Sequence, residues 1–197
     1  MRKTALLPAA RDFARLFFGK RVFRSGAALA YYLTLTVFPA LIVVPPHLVR
    51  NWQAEIARFL PSERVHVVRG LKPYSLPEAD IYIVHYLLLR GWKEVLPNMG
   101  FRTVIFDEIQ ELRRNGTNKY SAASLLSEAC ENAIGLSGTP IYNVGGEIWN
   151  VVNILDYHFL GDWESFSREW CYAYNSAIVA KPELLGEYLR SEGLMLR

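Results

Sequence analysis

Thr103-Val104-Ile105-Phe106-Asp107-Glu108-Ile109-Gln110 is the stretch on which the fold turns. An apolar run ending in two acids is the pattern of a buried parallel strand that delivers carboxylates to its carboxyl end. Ligands of open α/β sheets sit outside that end. Nucleoside-triphosphate chemistry uses such a pair: an Asp holds Mg²⁺ through its water shell, and a Glu orients and deprotonates the attacking water. Taken alone, an Asp-Glu pair is better explained as a strand running into a solvated turn. Downstream, Gly135-Leu136-Ser137-Gly138-Thr139-Pro140 has the same apolar-then-polar form. It too reads as a plain turn in isolation. After an apolar strand, and with the acids upstream, it becomes the second wall of one crevice.

Working outward, short apolar runs alternate with helical patterns. Leu41 to Val44, closed by Pro45-Pro46, reads as a central parallel strand. Further strands are expected at Val65 to Val68, Asp80 to Val84, Thr103 to Phe106 and Ala133 to Leu136. Helices are expected from His47 to Leu60, Leu87 to Val95, Ser121 to Glu131, Gly146 to Leu155, Trp163 to Tyr174 and Pro182 to Ser191. In the first of these, Leu48, Trp52, Ile56, Phe59 and Leu60 share one face, which makes Trp52 a core anchor rather than a stacking platform for a base. This alternation predicts an α/β fold, a parallel sheet covered by helices on both faces.

Bulk properties bound the function. The 197 residues carry a net charge of +3, which permits nucleic-acid binding without arguing for it. Hydrophobic content of 51% is ample for a core. Cys130 and Cys171 are far apart, and His47, His66, His85 and His158 are scattered, so nothing has the spacing of a zinc site.

The first forty residues differ from the rest. Arg2, Lys3, Arg11, Arg15, Lys20, Arg21 and Arg24 are interleaved with Leu6, Phe13, Leu16, Phe17 and Phe23, a basic amphipathic pattern suited to an anionic surface. From Ser25 to Pro46 no residue is charged, and about 20 apolar residues suffice to cross a bilayer. The run Ser25 to Ala40, with its Ala-Leu-Ala-Tyr-Tyr core and Phe38-Pro39 end, resembles the start of the YihY/BrkB-like (ribonuclease BN-like) inner-membrane family. That resemblance implies membrane contact through residues 1–45 and a leader over 1–40 distinct from a domain over 41–197. A buried helix of a soluble fold remains the other reading. Val37 to Ile42 then reads as a join between two unrelated sequences, in a recombined, misassembled or truncated frame.

The remainder resembles the first motor lobe of the Snf-type branch of superfamily-two helicases. Ala40 to Ile56, with Pro45-Pro46 and then Asn51-Trp52 and Glu55, is similar to motif Ia. Asp80 to Leu87 is similar to the strand that follows it. Asp107-Glu108-Ile109-Gln110 resembles motif II, with Gln110 where many relatives carry His, and Leu136 to Asn143 resembles motif III. Gly146 to Leu155 is similar to the next helix of that branch. The resemblance implies a RecA-like lobe, ATP and Mg²⁺ as cofactors, and duplex DNA and a second motor lobe as partners. It implies that Asp107 holds Mg²⁺ through water, that Glu108 orients the attacking water, and that Gln110 senses the nucleotide. Ser137 and Thr139 would offer hydroxyls near the γ-phosphate, with Gly138 allowing close backbone approach.

For DNA, Pro46, His47 and Arg50 are the phosphate-contact candidates, since such contacts need donors rather than base-reading shape. Arg113, Arg114 and Lys119 form a basic stretch that reads equally as a second DNA contact or as a solvated loop. One part of the pattern departs from the family. No Gly-x-x-x-x-Gly-Lys-Ser/Thr loop is present, and Gly19-Lys20 is followed by Arg21. Weak ATP binding and little hydrolysis are therefore expected. The motor reading places the chain in the cytoplasm as a fragment of a translocase. Its rivals are a protein anchored to the inner membrane through the leader, and an inactive DNA-binding module.

Overall fold

The computed structural model describes residues 37–138, 145–173 and 176–194. Five strands form one sheet: β1 (Ala40–Val44), β2 (Val65–Val67), β3 (Ile81–His85), β4 (Thr103–Asp107) and β5 (Asn132–Leu136). Their spatial order is β2-β3-β1-β4-β5, and every pairing is parallel. The helices are α1 (Val49–Phe59), α2 (Leu89–Trp92), α3 (Asn118–Ala129), α4 (Glu147–Leu155), α5 (Trp163–Trp170) and α6 (Pro182–Ser191). The expected α/β class and every expected strand are present.

β1 is central because its five residues, Ala-Leu-Ile-Val-Val, are all buried. Its alternate side chains feed two cores. Leu41 and Val43 join Val84, Phe106, Trp92, Leu126 and Val151 on the face covered by α2, α3 and α4. Ile42 and Val44 join Ile83, Ile105, Trp52 and Ile56 on the face covered by α1. Period two in the strand and spacing i, i+4 in α1 thus meet. Burying a side chain such as Ile56 contributes roughly 1.5–3 kcal/mol. A third cluster, with Ile148, Val152, Phe166, Leu185 and Leu189, joins α4, α5 and α6.

Local chemistry sets the helix ends. Thr117 Oγ1 accepts from the Tyr120 amide and caps α3, so that helix starts before the expected Ser121. α5 stops at Trp170, short of the expected Tyr174, because Cys171 turns extended and bridges Val179. The expected helix from Leu87 breaks into a 3-10 turn and the short α2. At Gly91 an added Cβ would lie 2.0 Å from the Leu71 carbonyl oxygen, so the loop after β2 crosses against this helix.

Among the described residues no helix is long and apolar enough to cross a membrane. The uncharged stretch from Ser25 does not continue as a span to Pro46, because residues 40–44 are the central strand and are fully buried. Those residues are unavailable to a bilayer, which corrects the expectation of membrane contact extending to residue 45. The leader up to residue 36, together with Thr139 and Pro140, lies outside the described residues.

Candidate functional site

The sheet brings the two sequence signals to one edge. Asp107, the last residue of β4, pairs with Leu136, the last residue of β5. Glu108 and Ser137 therefore leave the sheet side by side at its carboxyl end. β1 ends beside β4 through the Val43–Phe106 pairing, and leads into the exposed turn Pro46–Leu48.

Asp107 is half-buried and held on three sides. Trp52 Nε1 donates to its Oδ2 at 2.7 Å. The Glu108 amide donates to its Oδ1 at 3.0 Å. The Tyr86 hydroxyl donates to its main-chain carbonyl at 2.8 Å. Burial pushes the Asp107 carboxyl above its ordinary value; the Trp52 bond opposes this, and the Glu108 charge adds to it. Burial also holds the Tyr86 hydroxyl well above its ordinary value, helped by the charges of Asp107, Glu111 and Glu108, so Tyr86 remains a donor.

Glu108 takes a left-handed backbone, φ 52° and ψ 53°. For a residue with a Cβ this conformation costs about 1–2 kcal/mol. It turns the chain sharply into the 3-10 segment Ile109–Leu112, which returns Gln110 toward the sheet. Gln110 Nε2 donates to Glu108 Oε2, and Gln110 Oε1 accepts from Ser137 Oγ at 2.6 Å. One amide therefore spans the acid turn and the end of β5. Gly135 makes room for this arrangement: a Cβ there would lie 2.7 Å from Ile109 Cδ1 and 3.0 Å from Leu155 Cδ1. Among the described residues, a Cβ at the exposed Gly138 would meet nothing within 4 Å.

The cationic candidates separate. Pro46, His47 and Arg50 are exposed on the β1–α1 connection, and Arg114 is exposed after the acid turn. Arg113 instead points inward. Its Nε lies 3.4 Å from Oε1 of the buried Glu147, and its Nη1 donates to the Gln110 carbonyl at 3.1 Å. Asn150 Nδ2 donates to the Arg113 carbonyl at 2.8 Å, which ties α4 to the same turn. Lys119 Nζ lies 2.7 Å from Glu111 Oε2 and over the Tyr86 ring.

Sequence reasoning missed three contributors: the indole N–H of Trp52, the Tyr86 hydroxyl, and the Arg113–Glu147 pair. Trp52 is the core anchor expected of it, and it also serves the site through its one polar atom. The signal was its place in the Asn51-Trp52 pair just after the exposed turn.

A profile of the SNF2-related domain matches residues 7–191. The chain belongs to the SNF2-related domain family. That match includes residues 7–36 and runs through the stretch Val37 to Ile42 that the sequence alone suggested as a join. Among SNF2-related relatives, an uncharacterized ATP-dependent helicase of Mycoplasma pneumoniae is 30% identical over 159 residues, which is 77% of this chain and 15% of that protein. Human DNA repair and recombination protein RAD54B is 29% identical over 134 residues, 65% of this chain and 14% of that protein. The chain thus spans only a small part of the curated relatives it matches. The Sulfolobus solfataricus SWI2/SNF2 ATPase core in complex with dsDNA superposes with a TM-score of 0.69 at 21% identity, covering 99% of this chain and 45% of that one. The shared fold is the RecA-like lobe of an SNF2 ATPase core.

The donor set of this SNF2-related lobe suits Mg²⁺ in the way the family implies. Mg²⁺ prefers oxygen and keeps most of its waters, needing one or two carboxylates plus phosphates. Each Asp107 oxygen accepts one N–H and retains a further lone pair. Among the described residues no group of three or more His, Cys, Asp or Glu could enclose a metal on its own. The site therefore fits a cation brought in with phosphate.

Proposed function

We propose that this chain is the first-lobe portion of an SNF2-type, ATP-dependent DNA translocase. The nucleotide would lie at the carboxyl ends of β4 and β5, and duplex DNA along the exposed β1–α1 turn. The observation that carries this reading is the Asp107–Leu136 register, which sets Glu108 beside Ser137, with Gln110 bonded to both. Acid and hydroxyl then lie together at the carboxyl ends of β4 and β5, joined through Gln110.

Asp107 would hold Mg²⁺ through its water shell. When bound, the ion would offset the negative charge that develops on phosphate in transfer. Glu108, projected by its left-handed turn, would orient the attacking water and accept its proton. Gln110 would report the nucleotide state: a phosphate that attracts the Ser137 hydroxyl must loosen the Ser137–Gln110 bond. That change would reach α4 through the Gln110 carbonyl, Arg113 and Asn150. The role of Thr139 is proposed from its place in sequence, as it lies outside the described residues. His47, Arg50 and Arg114 are the DNA contacts we favour because they are exposed, with Pro46 shaping the turn. Arg113 and Lys119 already hold acidic partners. A DNA-bound role fits a cytoplasmic protein.

The missing Walker-type loop limits this chain by itself. Loop amides and a lysine cradle the β- and γ-phosphates, and without them affinity and turnover fall. We therefore propose weak nucleotide binding and little hydrolysis. Calorimetry with ATP, with and without Mg²⁺, on the wild type and Asp107→Ala tests both parts. A weak, Mg²⁺-dependent signal lost in Asp107→Ala is expected. Robust hydrolysis by the purified chain would overturn the low-turnover claim, and no nucleotide binding at millimolar concentration would overturn the site.

A further inference from the structure

Trp52 serves two environments. Its ring packs among Ile42, Val44, Ile83 and Ile105, while its Nε1 reaches Asp107 Oδ2, 55 residues along the chain, at 2.7 Å. With the Glu108 amide on Oδ1 and the Tyr86 hydroxyl on the carbonyl, the acid is fixed at both oxygens and at its own peptide. Hydrogen bonds to a carboxylate are roughly twice as strong as neutral ones. Partners of this kind orient a ligating side chain before the cation arrives. Both donors are well anchored: Trp52 is 5% exposed and Tyr86 2%.

We infer that Trp52 and Tyr86 are positioning residues for Asp107, which preset its carboxylate for a hard divalent cation. The inference rests on the reading of Asp107 as the cation-holding acid. A carboxylate left free to rotate would have to be ordered upon binding, and the indole N–H removes that requirement. The ring alone, without the N–H, would fill the core but leave Oδ2 unheld.

The test uses the full chain and Mn²⁺ together with ATP as the probe, with Mn²⁺ affinity in that complex read from water-proton relaxation. Trp52→Phe should weaken Mn²⁺ binding about 10-fold, and Tyr86→Phe should weaken it less. Trp92→Phe is the control. Trp92 is another buried indole, which donates to the Gly70 carbonyl, so loss of its N–H should leave Mn²⁺ affinity unchanged. In the ¹⁵N spectrum, the Trp52 indole signal should move on Asp107→Ala.

Folded Trp52→Phe protein that binds Mn²⁺ within twofold of wild type would overturn the inference. An indole signal that ignores Asp107→Ala would do the same. Should Trp52→Phe fail to fold, Tyr86→Phe carries the test, and unchanged affinity there is the overturning result. Wild type that binds no Mn²⁺ together with ATP would instead overturn the cation-holding reading of Asp107, and this positioning role with it.

Discussion

Ser137 fastens the end of β5 to the acid turn of β4: its hydroxyl donates to Gln110 Oε1 at 2.6 Å, across 27 residues of chain. The same amide's nitrogen holds Glu108. Ser137→Ala should therefore separate stability from signalling. One neutral hydrogen bond contributes about 0.5–1.5 kcal/mol, and in a protein of this size that lowers Tm by roughly 2–4 °C per kcal/mol. Nucleotide affinity should lose its effect on duplex affinity. Thermal melting together with duplex titration, with and without Mg²⁺-ATP, checks this; intact coupling in Ser137→Ala would rule out the relay.

Gly135 lies in a strand, where glycine is usually unfavourable, and the reason is steric. Gly135→Ala would drive a methyl into Ile109 and Leu155. Overpacking of this kind costs about 1–3 kcal/mol. The urea midpoint should fall, and Ile109→Val in the same chain should restore part of the loss by clearing the contact. An unchanged midpoint would mean that the turn yields freely.

Arg113 and Arg114 are neighbours with opposite surroundings. Arg113 faces the buried Glu147, while Arg114 is exposed. Removing one partner of a buried pair costs about 3–5 kcal/mol, and the partial exposure of Arg113 places it toward the lower end. Arg113→Ala should be clearly destabilised. Arg114→Ala should stay within about 0.5 kcal/mol of wild type while lowering the salt dependence of duplex binding by about one unit of slope. Denaturant titrations paired with duplex binding across salt concentrations decide it. The reverse pattern would make Arg113 the DNA contact.

The edge of the sheet carries an acid-sensitive clamp. Asp80 accepts from the Arg64 side chain at 3.1 and 3.2 Å and from its amide at 2.9 Å. The Arg64 side-chain bonds, and then its backbone bond, hold the Asp80 carboxyl below its ordinary value of 3.8. Because the folded state holds this proton less tightly, the clamp's contribution is complete above 3.8. It disappears as pH falls from there through the lower folded value. Asp80→Asn should flatten that acid limb by lowering stability in the neutral region, while matching wild type at the acid end. Urea midpoints measured from about pH 5 to pH 3 test the sign.

Much of this architecture could be read from the chain. Apolar runs such as Leu41 to Val44 have few other homes than a buried parallel strand, and their ends place Asp107 and Ser137 at one edge. What escaped was direction and partnership. The run Arg113, Arg114, Lys119 looks uniform as a string of charges, yet it divides according to which side chain meets an acid. Trp52 announced its ring through helical spacing, but the partner of its N–H is set by tertiary register, which no local pattern encodes. Gly135 carried a signal that was passed over, since a glycine inside an apolar strand often marks a close approach.

Residue 108 shows where hardiness and purpose diverge. Its left-handed backbone is the geometry that a glycine would adopt freely. An engineer seeking only a tougher scaffold would begin with Glu108→Gly, and would gain resistance to heat while discarding the side chain we propose to orient water. On the role we propose for it, a carboxylate kept in so awkward a posture is durability yielded to usefulness.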